Sequence, residues 1–225
     1  MKKLIIPTLR TFVIGAIALG LFLFLPAWTL TYWQAWLFIG VFMTSVNAIG
    51  VYLSLQDPAL LARRKKFGPA AEQNTAQKII ISVAILSNVA LLVFCALDYR
   101  LGWSPVPPAV SLVGDGLVAL GLLIDLFVFR QNSYGGSTIE TVAEQRVITT
   151  GLYALVRHPM YVGVLVLVAG VPLALGSWWG LWILVLTIPV LMWRIRDEEK
   201  LLEQELAGYR EYEQKVPYRL VPYLW

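Results

Sequence analysis

Three groups of residues in this sequence have the types and spacing for chemistry. The first is Arg157-His158-Pro159, which closes the stretch GLYALVRHP and directly precedes an apolar run. His158 is the single histidine of the chain. Pro159 suits the first turn of a helix, because its missing N–H would have no partner there. Arg157 and His158 therefore stand at a helix mouth, where the helix dipole and the arginine both favour an anion. The second group is Arg194, Glu198 and Glu199 in WRIRDEEKLLEQEL. Arg194 and Glu198 are four apart and share one helix face. An arginine so placed can hold an anionic group, and a carboxylate can hold a cationic one. The third group is Asp115 and Asp125, acids inside an apolar segment. Carboxylates at such positions are functional candidates, and Asp125 is read as a buried polar contact between helices.

Each group has a plainer use. Arg, His and Tyr commonly anchor a helix at a membrane boundary. Charges four apart on a helix also form ordinary surface ion pairs, each worth about 0.3–0.5 kcal/mol. GDGLVALG, Gly114 to Gly121, has the letters of a nucleotide loop but lies within an apolar helix, where small residues permit close helix packing. There is no C-x-x-C or HExxH spacing, and one histidine cannot build a His-rich metal site, so no metal is expected. Walker A and G-x-S-x-G sequences are also lacking.

The elements that must position these groups belong to a membrane protein. The 225 residues are 58% hydrophobic and 14% charged, with a mean hydropathy of +0.69; soluble domains carry about 25% charged residues. The expected fold is all-α: a polytopic helical bundle of about six spans. These are residues 12–30, 33–55, 79–97 and 110–129, then two shorter ones at 161–175 and 178–193. Only Gly176 and Ser177 separate the last two, which predicts a tight helical hairpin. A tail helix from Arg194, with Leu201, Leu202, Leu206 and Tyr209 at helical spacing, is expected to close a pocket on the membrane surface. The first span is too long for a cleaved signal peptide, and Cys95 reads as a small buried apolar residue.

If the N-terminus is cytoplasmic, six crossings leave every basic residue except Arg100 on the cytoplasmic side, as the positive-inside rule demands. Both termini are then cytoplasmic, in the inner membrane if the source is bacterial or archaeal. The net charge of +4 reports topology and contact with membrane lipids rather than nucleic acid. The basic loop around RRKKFG reads as a headgroup-binding segment. The chain is taken as one membrane domain over 1–225, with N-terminal spans in 1–130 and a cofactor-binding catalytic region in 131–225.

VITTGLYALVRHPMYVG (Val147–Gly163), the following hairpin, R-x-x-x-E-E at Arg194, Glu198 and Glu199, then AGYREY and VPYRLVP occur here in a specific order. Together they resemble the isoprenylcysteine carboxyl methyltransferase family, whose C-terminal pattern is shared with integral-membrane phospholipid N-methyltransferases. The resemblance covers about residues 130–225. It implies S-adenosylmethionine as cofactor and a lipophilic or lipid-modified methyl acceptor, with a prenylcysteine-like carboxylate first in line. Gln145, Arg146, Val147, Ile148, Tyr153, His158, Pro159, Met160, Tyr161, Glu198 and Glu199 are expected at the cofactor, and Arg194 at the substrate carboxylate. Arg194, His158 and Arg157 make up the expected catalytic set, with Arg157 and the helix mouth facing the cofactor carboxylate. A carboxylate is already a nucleophile at neutral pH, so His158 is expected to orient rather than to shuttle protons. Two alternatives stand beside this reading: an NADPH-dependent membrane reductase of a sterol-like substrate, and a small transporter or scaffold.

Overall fold

A computed structural model describes residues 2–72, 74–141 and 144–225, with side chains from Thr8 onward. The side chains of Lys2 and Lys3, used above for orientation, lie outside the described part. Among the described residues the structure is all-helical, with eight α-helices and two short 3-10 turns. They are α1 (Lys2–Ala27), α2 (Trp33–Gln56), α3 (Pro58–Lys65), α4 (Thr75–Leu101), α5 (Pro108–Gln131), α6 (Pro159–Ala174), α7 (Leu181–Glu205) and α8 (Tyr209–Lys215). Helices α1, α2, α4 and α5 each contain a stretch long and apolar enough to cross a membrane, and α6 is a shorter apolar helix. The expected all-α polytopic bundle is therefore the fold observed, with four span candidates among the described residues where about six spans were expected.

The long helices alternate in direction, so the molecule has two polar ends. The far end gathers the α1–α2 turn, the α4–α5 loop and the α6–α7 turn. The site end gathers α3, the 131–158 loop, the second half of α7 and α8. Helix α5 is the most enclosed of the four spanning candidates and α1 the least, with 44% and 6% of their apolar windows buried. The exposed faces of α1 and α7 are apolar, including Val13, Ile17, Leu21, Trp182, Val185 and Leu186. Such faces are solvated by lipid tails at no cost.

Helices α5 and α6 meet along a seam of glycines. A Cβ on Gly114 would lie 2.1 Å from the Ala174 backbone nitrogen, and one on Gly121 would lie 2.5 Å from the Gly163 carbonyl oxygen. Gly170 faces Gly114 and Val118 just as closely. The GDGLVALG stretch thus packs backbone against backbone, as small residues in membrane helices permit. Asp125 sits in the same seam between helices, its Oδ1 pressed against Gly163 and without a hydrogen-bond partner among the described residues, so the expected polar contact is not made by that atom.

Two boundaries differ from expectation. The hairpin turn is longer than Gly176-Ser177, because α6 ends at Ala174 and α7 begins at Leu181. Gly176 takes a left-handed conformation at φ 71° just past the helix end. Helix α7 also continues through Trp193 without interruption to Glu205, despite Pro189. The last apolar span and the charged tail helix are one rod, which sets Arg194 and Glu198 rigidly relative to the bundle.

Candidate functional site

Local sequence explains how each wall of the site is made. Asp57 caps α3 by accepting from the Leu60 amide at 2.8 Å, with Pro58 in the first turn. This short helix carries Arg63 and Arg64 under the end of α5. Asn74 caps α4 at the Ala76 amide (2.9 Å), which sets Gln77 in the first turn, buried. His158 precedes α6 with Pro159 at its start. The backbone amides of Arg157 and His158 donate to the carbonyls of Tyr218 and Arg219 at 2.9 and 3.0 Å. The C-terminal segment is thereby laced to the helix mouth.

These elements enclose a cavity of about 360 Å³, within the size range of small-molecule sites. Its polar end is lined by Gln145 to Ile148, Tyr153, Arg157 to Tyr161, Arg194, Glu198 and Tyr209. Its more apolar end runs between α4 (Ile80, Ile81, Ala84), α6 (Val164, Leu165, Val168) and α7 (Val190, Leu191), with Ser87, Asn88 and Thr187 as its polar members. Every expected site residue except Glu199 is on this lining, so His158 and Glu198 share one hollow. Arg146 is exposed at the rim, and Val147 packs on the Tyr209–Tyr212 cluster.

Glu198 and Glu199 are neighbours with opposite surroundings, because successive helical residues point about 100° apart. Glu199 is 3% exposed and turns away from the cavity. Its Oε1 accepts from Arg157 Nε at 2.9 Å and Nη2 at 2.8 Å and lies 3.1 Å from His158 Nε2; its Oε2 accepts from Arg219 Nε at 2.7 Å. Burial alone would push its carboxyl up. The hydrogen bond and charge of His158, the Arg219 hydrogen bond and the Arg157 charge overcome this and hold it at about 2. Arg157 also donates to the carbonyls of Val216 (3.1 Å) and Pro217 (3.2 Å) and lies 3.5 Å from Glu213. The arginine expected to meet a cofactor carboxylate therefore has its guanidinium committed to the protein. Glu199, expected at the cofactor, is the strut that holds Arg157, His158 and the tail together.

Glu198 faces the cavity. Its Oε2 accepts from the Tyr161 hydroxyl at 2.6 Å, and it forms no ion pair among the described residues. Arg194 donates to the same Tyr161 hydroxyl at 3.1 Å, to Gln77 Oε1 at 2.8 Å, to Glu72 Oε1 at 3.2 Å and to the Ser137 carbonyl at 2.9 Å. Gln77 in turn donates to Asp197, and Glu72 Oε2 accepts from the Ile139 amide at 3.4 Å. The expectation of a headgroup-binding loop left out a second role: Glu72 in the loop and Gln77 at the start of α4 fix Arg194, 122 and 117 residues away. Sequence reasoning missed both, and also Arg64, which stacks 4.2 Å over the Phe129 ring and lines the cavity. The RRKKFG run signalled charge, but no local pattern showed that part of the loop folds inward.

Two cavity-lining polar atoms, Thr138 Oγ1 and the Tyr209 hydroxyl, are buried and have no hydrogen-bond partner among the described residues. Tyr212 is satisfied, donating to the Tyr153 carbonyl at 2.7 Å, and the Tyr153 hydroxyl accepts from Asn132 at 2.8 Å. Burial pushes the Tyr153 phenol up to about 12, which keeps it protonated. A committed strut beside unpaired polar atoms is the pattern of a binding cavity rather than of a packed core. Among the described residues no His, Cys, Asp and Glu grouping could hold a metal ion.

Fold and site together define a helical membrane protein with a polar cavity at one end of the bundle, opening into an apolar cleft. Its fold is that of the membrane methyltransferase structure described next. Comparison with known proteins gives the particulars. Residues 110–207 match the family model of the phospholipid methyltransferases. The chain superimposes on a solved eukaryotic intramembrane Ras methyltransferase, isoprenylcysteine carboxyl methyltransferase. That match has a TM-score of 0.54 and 19% identity, and covers 98% of this chain and 84% of that one. A segment of 94 residues is 31% identical to the Delta(14)-sterol reductase TM7SF2 of Mus musculus, covering 40% of this chain and 22% of that protein's length. The family-model match and the methyltransferase structure agree with the resemblance carried by the Val147–Gly163 and Arg194–Glu199 motifs.

Proposed function

We propose that this protein is an S-adenosylmethionine-dependent methyltransferase acting on a lipophilic acceptor at the membrane surface, with a carboxylate as the first choice of nucleophile. The observation that carries the reading is the shape of the cavity: a polar pocket with unpaired groups, continuous with an apolar cleft between α4, α6 and α7. A water-soluble donor fits the first part and a lipid-like acceptor the second. The family match over residues 110–207 and the fold match support methyl transfer as the chemistry.

The residues present suit the cofactor. Glu198 carries a carboxylate into the cavity with no ion pair within 4 Å among the described residues, and suits the cofactor's ammonium or sulfonium. Tyr209 and Thr138 offer hydroxyls to its polar edges. Tyr153, Met160 and the 145–148 segment supply surface for its adenine and ribose. When bound, S-adenosylmethionine supplies an electrophilic methyl group. The protein then has to hold the acceptor oxygen in line with that methyl and exclude water from both, for which no general base is needed. His158, held 3.1 Å from Glu199 Oε1, keeps the helix mouth in shape and forms part of the cavity wall. Arg194 also lines the cavity, with its guanidinium engaged by Glu72, Gln77, Tyr161 and the Ser137 carbonyl, so an acceptor carboxylate meeting it would share or displace these partners.

A second reading is an NADPH-dependent membrane reductase, favoured by the local likeness to the sterol reductase. Thermal-shift measurements on purified protein with S-adenosylmethionine, S-adenosylhomocysteine and NADPH separate the two. Stabilisation by the first two and none by NADPH is expected, and the converse pattern would replace this reading with the reductase.

A further inference from the structure

The cavity lining contains four arginines, and their charges are treated differently. Arg157 is neutralised by Glu199 and Glu213, and Arg194 by Glu72. Arg146 is exposed at the rim. Arg64 is partly buried, and its Nη1 meets only neutral acceptors: the Gly135 carbonyl at 3.0 Å, the Gly136 carbonyl at 3.4 Å and Met160 Sδ at 3.4 Å. No carboxylate lies within 4 Å of it among the described residues. Burial pushes its guanidinium down, and Asp125 in the α5–α6 seam offsets this only at longer range. The planar group is nevertheless rigidly held. Phe129 supports one face at 4.2 Å, and the capped helix α3 fixes its backbone. A rigid guanidinium with its charge unpaired is costly to bury unless an anion completes it.

We propose that Arg64 is an anion-recognition subsite of this cavity, taking a carboxylate of one of the two ligands, on the opposite side of the charge balance from Glu198. This rests on the methyltransferase reading and assigns a binding role to the first loop, which lies outside the segment that matches the phospholipid methyltransferases. Two sources of the carboxylate share this chemistry: the amino-acid moiety of the cofactor, and the acceptor. A guanidinium can grip either with two parallel hydrogen bonds.

The test uses full-length protein in detergent and the variants Arg64→Gln and Arg64→Lys, each checked for an unchanged melting temperature. Cofactor binding is measured with S-adenosylhomocysteine and with methylthioadenosine, which lacks the carboxylate. Acceptor binding is measured with N-acetyl-S-farnesylcysteine and with its carboxamide. If the cofactor is the source, Arg64→Gln weakens S-adenosylhomocysteine at least about tenfold and leaves methylthioadenosine unchanged. If the acceptor is the source, the acid weakens by that factor and the amide does not. In either case Arg64→Lys, a point charge without the fork, falls between wild type and Arg64→Gln. Unchanged affinities for both carboxylate ligands overturn the proposal, as does an equal loss for ligands with and without the carboxylate, which marks a structural role. If Arg64→Gln does not fold, the same comparisons on Arg64→Lys decide. Failure of the wild type to bind S-adenosylhomocysteine at all removes the methyltransferase reading and this proposal together. Wild-type binding with indifferent Arg64 variants removes this proposal alone.

Discussion

The two ends of the bundle differ in what their buried polar groups face. At the far end Asp98, 1% exposed, accepts from the Ser104 amide at 2.9 Å, from the Ser104 hydroxyl, and from the Ser177 hydroxyl at 2.5 Å. Ser177 accepts from the Gly180 amide at 2.9 Å, and the Tyr32 hydroxyl donates to the Leu175 carbonyl at 2.5 Å while stacking on Tyr99. This knot ties the α4–α5 loop to the α6–α7 turn. At the site end the Thr138 and Tyr209 hydroxyls have no partner and Glu198 and Arg64 have no ion pair within 4 Å among the described residues, and all four line a hollow. Gln34 Oε1, Ser111 Oγ and both Asp115 oxygens near the far end are also buried without a partner among the described residues, but they do not line the cavity, whereas the unpaired atoms of Thr138 and Tyr209 do. The contrast recurs within two residues: Glu199 is the closed strut, and Glu198 next to it is the open group.

This contrast orders the expected effects of mutation. Glu199→Ala is the most damaging, because it strands Arg157 and Arg219 and frees His158; breaking one partner of such a buried pair costs about 3–5 kcal/mol. Both melting temperature and ligand binding should fall, and a normal melting temperature would show that the strut is unnecessary. Asp98→Ala follows, leaving two hydroxyls and an amide unsatisfied at about 1–3 kcal/mol for a buried group. It should lower the melting temperature while the surviving folded molecules keep wild-type affinity for S-adenosylhomocysteine. Loss of affinity there would mean that the ends are coupled. Glu198→Ala removes a group from the open network, so its melting temperature should stay within a few degrees of wild type. Its cofactor affinity should fall by about 10- to 100-fold, corresponding to the roughly 1.5–3 kcal/mol of a charged hydrogen bond. Arg194→Ala should chiefly raise the acceptor KM, with a smaller effect on cofactor affinity, and the reverse split would reassign both residues.

The same strut sets a pH dependence of stability. The Glu199 carboxyl is held at about 2, against an ordinary value of 4.5. A depressed carboxyl contributes stability that is complete above its unfolded value and is lost as pH falls toward its folded one. Melting temperature should therefore decline between about pH 4.5 and pH 2, and this part of the decline should be missing in Glu199→Gln.

Much of the fold could be read from the sequence because a bilayer imposes long apolar runs, and α2, α4 and α5 stand close to where hydropathy puts them. The helix ends were less readable. The α7 rod hides its boundary because Arg194 to Glu205 are as helical as the apolar turns before them, so the change of composition marks the membrane surface and not a helix end. On the C-terminal side the residues lining the cavity lie where the motifs suggested, because Arg157 to Tyr161 and Arg194 to Glu198 are each local and periodic. The contribution of the first loop was invisible. Glu72 and Gln77 reach Arg194 across 122 and 117 residues, and nothing in GPAAEQNTAQ records that distance. Asp98 was missed for a similar reason, although its position just before the Gly102 turn and Ser104 was the available sign of a capped helix end.

Calorimetric titration of the purified protein with S-adenosylhomocysteine, in wild type and in Glu198→Ala of matched melting temperature, tests the central claim most directly. The account predicts saturable one-to-one binding by the wild type, with affinity reduced at least about tenfold in the variant. A folded wild-type protein that takes up no S-adenosylhomocysteine, or a variant that binds it equally well, would contradict it.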